Sequence, residues 1–129
     1  MTRFPAWNQP TFNRQNLTQW YWMCQHRKNF KLGKNSDIGA FTYINACFGV
    51  TIETDVQIGS HCSIYSHNTI DNTKGKVIIK QGAKIGSHTV VLPGVTIGKN
   101  ALIGAFSLVK ENVKDNAVMA GVPVKDINK

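Results

Sequence analysis

The sequence predicts an all-β fold in which short strands wind into a coil with three flat sides. From Leu32 onward the chain reads in units of six residues, and an aliphatic residue opens each unit. Gly, Asn and Asp recur between these openings, and they accept the backbone angles of tight bends. An α-helix of 3.6 residues per turn cannot keep every sixth residue on one face, whereas a short strand followed by a bend can.

The chain contains twelve such units, with a restart after Thr51 and a polar interruption from Ile70 to Ile78. In order they read LGKNSD, IGAFTY, INACFG, IETDVQ, IGSHCS, IYSHNT, IKQGAK, IGSHTV, VLPGVT, IGKNAL, IGAFSL and VKENVK. Each opening residue points inward, and the mostly small or branched fifth residue packs near a corner. With three sides per turn, the units predict about four coils.

The first thirty residues precede the repeats and are expected to cover one open end of the coil. Leu17, Trp20, Tyr21 and Cys24 lie three or four positions apart, which predicts a short amphipathic α-helix within residues 13–28. We therefore divide the chain into an N-terminal helical cap, residues 1–31, and a coiled domain, residues 32–129. The tail that follows the last unit is expected to be an extended loop or a short closing element.

Composition narrows the protein class. Hydrophobic residues make up 42% of the 129 residues and charged residues 17%, which is typical of one folded domain. No apolar run approaches the roughly 20 residues that cross a membrane. Three cysteines without a CxxC pair disfavour a disulfide framework and favour a reducing cytoplasm.

Charge is unevenly distributed along the chain. The net charge is +8, yet residues 38–73 contain three acidic residues and no Lys or Arg. The basic flanks suggest a polyanionic partner, but no nucleic-acid-binding motif is present. Scattered lysines suit the phosphates of a small ligand, or serve only solubility.

The most specific stretch is IGSHTVVLPGVTIGKNALIGAFSLVKENVKDNAVMAGVPVK, residues 85–125. It resembles the coenzyme A-binding coils of the hexapeptide-repeat acyltransferase superfamily, in particular the maltose, galactoside and other sugar O- or N-acetyltransferases. The resemblance implies a left-handed parallel β-helix that assembles as a homotrimer, with active sites between neighbouring prisms. It also implies an enzyme that uses acetyl-CoA to acetylate a sugar, such as a nucleotide-linked amino sugar or a precursor of lipopolysaccharide or another surface glycan.

The resemblance assigns the catalytic base to His67, which lies just before the interruption of the repeat. A neutral imidazole that titrates near pH 7 can take a proton from the attacking hydroxyl or ammonium group. Asp71, or a backbone carbonyl, would fix the tautomer of the ring. The alternative is that His67 is a polar corner residue without a role.

Acceptor-binding residues are expected near this base. Asn45 lies where the related enzymes place an acceptor-contacting Asn, and Tyr65 could stack on a sugar face. His61 and His88, both in IGSH units, could flank the same cleft or merely occupy bends. The acidic middle segment favours a cationic acceptor such as an amino sugar.

Coenzyme-binding residues follow from the same resemblance. Ser87 and Ala105 match the small residues along which the pantetheine arm runs. Lys110 and Lys125 match the phosphate-side region, although each could be only a solvated charge. Phe106 stands where the family often has Gly, so the channel has a different local shape here.

The sequence leaves two other functions open, a zinc carbonic anhydrase and a non-catalytic subunit. A zinc carbonic anhydrase of the same coiled type needs three His ligands, and the spacing of His61, His67 and His88 departs from that pattern; no metal site is predicted. A non-catalytic subunit would bind no coenzyme A. The sequence leaves open which sugar is acetylated, and whether the acceptor atom is oxygen or nitrogen.

Overall fold

The computed structural model describes residues 6–127. Within them the secondary structure is seventeen short strands and one three-residue 3₁₀ helix, Arg27–Asn29. In chain order the strands are β1 (Met23–Gln25), β2 (Phe30–Leu32), β3 (Asp37–Ile38), β4 (Tyr43–Asn45), β5 (Val50–Ile52), β6 (Gln57–Ile58), β7 (Ser63–Tyr65), β8 (His67–Asn68), β9 (Thr73–Lys74), β10 (Val77–Ile79), β11 (Lys84–Ile85), β12 (Val90–Val91), β13 (Thr96–Ile97), β14 (Leu102–Ile103), β15 (Leu108–Val109), β16 (Val118–Ala120) and β17 (Lys125–Asp126). The predicted all-β class is therefore confirmed.

The strands form three parallel sheets, which are the three sides of the coil. The first sheet has the order β1-β4-β7-β12-β15, the second β2-β5-β10-β13, and the third β3-β6-β11-β14-β16, with β17 antiparallel at its edge. Each turn of the chain contributes one strand to each sheet, except that in the second sheet the top level is the isolated bridge of Val113 to Ile97. The left-handed sense of the coil stays a prediction.

The opening residues of the hexads form the core. In the first sheet Cys24, Ile44, Ile64, Val91 and Val109 lie in register, one above the other. All five are completely buried. The residues at the fifth position of the hexads are also buried in ten of the twelve units, the exceptions being Phe48 and Asn68. They include Thr42, Val56, Cys62, Ala83, Thr89, Val95 and Ala101. Burial of this apolar column, at about 25 cal/mol per Å², drives the coils to stack.

The coil has five levels rather than about four, because the first sheet contains five strands. The extra strand is β1, which lies before the first hexad and pairs in parallel with β4. At the other end, Val113 bridges to Ile97 and β16 continues the third sheet. The hexad count missed these terminal levels because their residues do not keep the period of six.

The predicted α-helix within residues 13–28 is wrong. This segment turns twice, with Thr18 N–H donating to the Trp22 carbonyl at 2.8 Å, and then enters β1. Cys24 lies in the core because it belongs to β1, whereas Trp20 and Tyr21 are exposed. Pairing with β4 supplies backbone hydrogen bonds that a short isolated helix would have to make by itself, so tertiary pairing overrides the local spacing.

The two ends of the coil are covered by the chain itself. At the lower end Trp22 is buried between Phe12 and Phe30, with ring centroids 5.5 and 5.9 Å away. At the upper end β17 folds back on β16, which is the short closing element that the sequence predicted. Residues 1–5 of the predicted cap and residues 128–129 of the coiled domain lie outside the described residues. Within residues 6–127 there is no helix with the length and apolarity needed to cross a bilayer.

Candidate functional site

The candidate side chains lie on the three corners where the sheets meet. The hairpin corner joins the first sheet to the second and comprises residues 26–29, 46–49, 66–76, 92–95 and 110–112. The asparagine corner joins the second sheet to the third and comprises residues 33–36, 53–56, 80–83, 98–101 and 114–117. The ring corner joins the third sheet back to the first and comprises residues 39–42, 59–62, 86–89 and 104–107, with Tyr21 below them. The hairpin corner carries the interruption of the repeat as a β-hairpin, in which β8 and β9 are antiparallel. Its base is closed by Gly75 N–H, which donates to the Ser66 carbonyl at 2.9 Å.

His67 begins this hairpin and is half-buried. Its Nε2 lies 2.9 Å from Oδ1 of Asn72. Because a carboxamide oxygen only accepts hydrogen bonds, Nε2 is the donor and Nδ1 retains its lone pair. The ring of Phe48 contacts the imidazole, with centroids 5.1 Å apart and planes at 88°. His67 is thus oriented by two neighbours and has one nitrogen available as a base.

Asp71 does not provide the predicted partner of His67. Its Oδ1 accepts hydrogen bonds from the backbone N–H and the hydroxyl of Thr73, at 3.1 and 2.8 Å, in a turn at the hairpin tip. These bonds from Thr73 lower the pKa of Asp71. Asn72, which has a positive φ of 59°, contacts His67 instead. Only the hairpin pairing distinguishes Asn72 from its neighbour, so the sequence alone could not identify it.

Asn45 and Tyr65 lie at the same corner as His67. The Asn45 carbonyl accepts from the N–H and the hydroxyl of Ser66, the residue before His67, at 2.9 and 2.7 Å. The Asn45 side chain is buried and its Oδ1 accepts from Cys47 N–H at 3.0 Å. Tyr65 is in register with Asn45, on a half-buried position of the first sheet. The structure therefore brings three of the predicted residues together, with Asn45 also serving the turn.

His61 and His88 lie on the ring corner, whereas His67 lies on the hairpin corner. The imidazoles of His61 and His88 are parallel, with centroids 4.7 Å apart and planes at 3°. Phe41 lies 5.2 Å from His61, and Phe106 lies 4.7 Å from His88. Tyr21 extends the stack below Phe41, with its ring 6.5 Å away. Five exposed rings thus form a column along this corner.

His61, His67 and His88 are too widely distributed over the corners to form the three-histidine zinc site of a carbonic anhydrase within one chain. His61 and His88 stack face to face and do not converge with His67 within one chain. No group of three or more His, Cys, Asp or Glu side chains among residues 6–127 could hold a metal ion.

Two of the residues predicted to bind coenzyme A, Ala105 and Ser87, lie beside the third sheet. Ala105 lines a shallow groove of about 410 Å³ on the outer face of the third sheet, beside Gly59, Gly86 and Gly104. Ser87 lies directly above Gly59, where an added Cβ would come 2.6 Å from the Ser87 nitrogen. The small residues here therefore serve coil stacking and also leave the backbone open to a ligand.

The two predicted lysines do not meet in one chain. Lys110 follows β15 and lies on the hairpin corner, two levels above the His67 hairpin. Lys125 lies on β17, at the edge of the third sheet. Both are exposed.

The chain shares its three parallel sheets and its corners of left-handed backbone with hexapeptide-repeat proteins. Residues 76–111 match the family model of bacterial transferase hexapeptide (six repeats). The resemblance found in the sequence is confirmed over these residues.

The curated relatives include acetyltransferases of sugars. The chain is 35% identical to the galactoside O-acetyltransferase of Lactococcus lactis over 106 residues, which cover 70% of this chain and 51% of that protein. It is 37% identical to the galactoside O-acetyltransferase of Escherichia coli, covering 77% of this chain and 58% of that protein. It is 30% identical to a putative lipopolysaccharide biosynthesis O-acetyl transferase of E. coli, covering 74% and 58%. The chain thus spans between half and three-fifths of the length of these relatives.

Solved structures share the fold. A hexapeptide-repeat acetyltransferase of Vibrio cholerae, complexed with acetyl coenzyme A, superposes with a TM-score of 0.77 at 22% identity, covering 83% of this chain and 63% of that chain. AntD, an N-acyltransferase of Bacillus cereus in complex with dTDP and 3-hydroxybutyryl-CoA, superposes with a TM-score of 0.74 at 25% identity, covering 86% and 77%.

Proposed function

We propose that this chain transfers the acetyl group of acetyl-CoA to a hydroxyl or amino group of a sugar, with His67 as the general base. The observation that carries the proposal is the orientation of His67 by Asn72, which leaves Nδ1 with its lone pair at the edge of the hairpin. The relatives support the reaction class, since two of them are named galactoside O-acetyltransferase.

In this mechanism Nδ1 of His67 accepts the proton of the acceptor hydroxyl as its oxygen attacks the thioester carbonyl. An amino acceptor first loses one ammonium proton to solvent, and Nδ1 then accepts a second proton from the nitrogen of the neutral amine as it attacks. The carbon–sulfur bond then breaks, and the imidazolium returns the proton to the departing sulfur, so that protons balance without a covalent enzyme intermediate. Asn72 holds the ring in one tautomer through both steps. The buried Cys62 is not needed as a nucleophile, because burial raises the pKa of its thiol.

The proposed site is completed by a second copy of the chain. His67 lies on the hairpin corner, whereas Ser87 and Ala105 lie on the ring corner or beside it. One prism cannot bring two of its corners together, but neighbouring prisms can face a hairpin corner with the partner's ring corner. We therefore propose a homotrimer with the acetyl-CoA slot between protomers, and with Lys110 and Lys125 on the coenzyme phosphates.

The acceptor would lie beside Asn45 and Tyr65, on the His67 side of the slot. A nucleotide-linked sugar or a surface-glycan precursor fits the proposal, since AntD was crystallised with dTDP and one relative is named for lipopolysaccharide biosynthesis. His61 and His88 of a partner protomer would flank the acceptor from the opposite wall. We place the reaction in the cytoplasm because all three cysteines are free.

A thiol-release assay with acetyl-CoA and a panel of sugars and nucleotide sugars tests this function. His67→Ala is expected to lower kcat by at least about 100-fold, the low end for loss of a general base. Asn72→Ala is expected to lower kcat by about tenfold, because the ring loses its fixed tautomer but keeps its base. His26→Ala is the matched control, since His26 is an exposed histidine on the same corner, two levels below His67. Unchanged turnover in His67→Ala would remove His67 from the mechanism.

A further inference from the structure

A basic groove lies next to the proposed base, on the outer face of the second sheet. It has a volume of about 340 Å³, and its lining includes Asn29, Lys31, Cys47, Phe48, Thr51 and Lys76. We call it the lysine groove. No carboxylate is among its lining residues in the described part of the chain.

Two elements, one on each side of β5, contribute one lysine each to the groove. Lys31 lies on β2 and is in register with Thr51 of β5, so both lie on the outer face of the second sheet. Lys76 precedes β10, and its side chain lies over Gly49, where an added Cβ would be 3.4 Å from the Lys76 Cγ. Two ammonium groups beside one groove repel each other unless an anion lies between them.

Phe48 connects the lysine groove to the proposed base. One side of this residue lines the groove, and its ring contacts His67. Lys74 Nζ lies 5.5 Å from the same ring centroid, which adds a third positive charge at this corner. Phe48 N–H also donates to the Ser66 hydroxyl at 2.9 Å, which fixes the ring next to the hairpin. An anion in the groove would therefore lie one aromatic ring away from the reacting atoms.

We propose that the lysine groove binds the phosphate of a phosphorylated sugar acceptor, with Lys31 and Lys76 as its cationic ligands. The inference rests on the proposed acetyl transfer and names its substrate class. The acidic segment, residues 38–73, contains no Lys or Arg and favours a cationic acceptor. Lys31 and Lys76, from the two flanking segments, line a groove beside Phe48 of the acidic segment, so an acceptor that carries both an amino group and a phosphate suits this corner.

The phosphate could also come from coenzyme A, so the assignment to the acceptor needs its own argument. The groove opens on the second sheet, and the predicted pantetheine groove is on the third. Asn29 and Thr51 add neutral hydrogen-bonding groups beside the two ammonium groups. A phosphate with several acceptor oxygens suits this mixture of donors.

The first experiment measures acetyl transfer to a matched pair of acceptors, glucosamine 1-phosphate and glucosamine. In the double variant Lys31→Gln/Lys76→Gln, KM for glucosamine 1-phosphate is expected to rise by at least about tenfold, as two exposed charge-assisted contacts are lost. KM for glucosamine and for acetyl-CoA is expected to stay unchanged. Lys34→Gln, which changes an exposed lysine on the asparagine corner, is the matched control. An equal effect on both acceptors, or an effect confined to acetyl-CoA, would overturn the assignment.

The second experiment measures binding without turnover and separates the two proposals. Calorimetry with glucosamine 1-phosphate is expected to show binding to the wild type and to His67→Ala, and at least about tenfold weaker binding to the double variant. If no acceptor is acetylated but this pattern holds, the acetyl-transfer proposal fails and the phosphate site stands. If the double variant binds the sugar phosphate as tightly as the wild type, or if the wild type binds neither it nor inorganic phosphate, the phosphate site is refuted.

Discussion

Two corners of the coil share one backbone conformation and differ completely in side chains. At the asparagine corner the left-handed positions are Asn35, Asp55, Gly82, Asn100 and Asn116, with φ between 57° and 77°. At the ring corner they are Tyr21, Phe41, His61, His88 and Phe106, with φ between 57° and 68°. Short polar residues and Gly accept this conformation readily, whereas bulky residues in it are uncommon and cost roughly 1–2 kcal/mol each.

The difference shows that different forces select the residues of the two corners. Backbone preference alone accounts for the asparagine corner. At the ring corner the rings stack at centroid distances of 4.7–6.5 Å, and such pairs contribute about 0.5–1.5 kcal/mol each, which offsets much of the strain. Strained backbone at every level of the ring corner suggests that this corner has a function. The proposed coenzyme groove lies beside it.

The largest change in stability is expected for a glycine at which two coils are in close contact, and a second glycine in a left-handed conformation serves as the comparison. In Gly86→Ala, at the base of the ring corner, the new Cβ would lie 2.5 Å from the Ala105 nitrogen of the next coil. We expect a loss of about 3 kcal/mol in the free energy of unfolding, because backbone must move apart. Gly94→Ala, at the hairpin corner, meets nothing within 4 Å but has a φ of 84°, and it is expected to cost about 1 kcal/mol. Urea denaturation measures both, and equal losses would mean that coil contact does not require Gly86.

A reciprocal exchange tests the comparison of the two corners directly. Asn100→His places a ring in the left-handed conformation between Gly82 and Asn116, where no ring can stack on it, and we expect a loss of about 1–2 kcal/mol. His88→Asn removes two stacking contacts but relieves the strain, so its net change is expected to be below about 1 kcal/mol. Thermal and urea unfolding compare the pair. A larger loss for His88→Asn would show that stacking outweighs strain at the ring corner.

The smallest effect concerns the chemical modification of the three cysteines, which differ in their exposure to solvent. Cys47, at the hairpin corner, is half-buried, whereas Cys24 and Cys62 are buried. Iodoacetamide at pH 8 is expected to modify Cys47 in the folded protein and the other two only in urea. Rapid modification of Cys62 would show that the ring corner is open to solvent.

Burial raises the pKa of Cys24 from 9.0 to about 12, with Arg27 opposing the shift. The folded protein therefore keeps the Cys24 thiol neutral over a pH range in which the unfolded chain ionises it. The stability that the neutral thiol contributes is complete below pH 9 and is lost as the pH rises toward 12. The urea midpoint is accordingly expected to fall over that range, and less so in Cys24→Ala.

Much of the coil could be predicted because its information is local and repeated. Ile44, Ile64 and Val91 open hexads, and each is buried in register with the next. The N-terminal segment misled prediction, because Leu17 and Cys24 have helical spacing while β4 offers the partner that makes β1 a strand. His67 is predicted as the base from its place before the interruption, and that role stays a prediction. Its contact with Asn72 depends on how the hairpin pairs.

The sequence by itself determined the three-sided coil, its inward columns and the position of the interrupting segment, since a period of six constrains every residue through its nearest neighbours. The tertiary structure alone decided which side chains meet across levels. Lys31, Lys76 and Phe48 line one groove, five rings align along one corner, and His67 lies on a different corner from His88. These contacts join residues that are tens of positions apart, and their distances depend on how the strands stack, which no local pattern encodes.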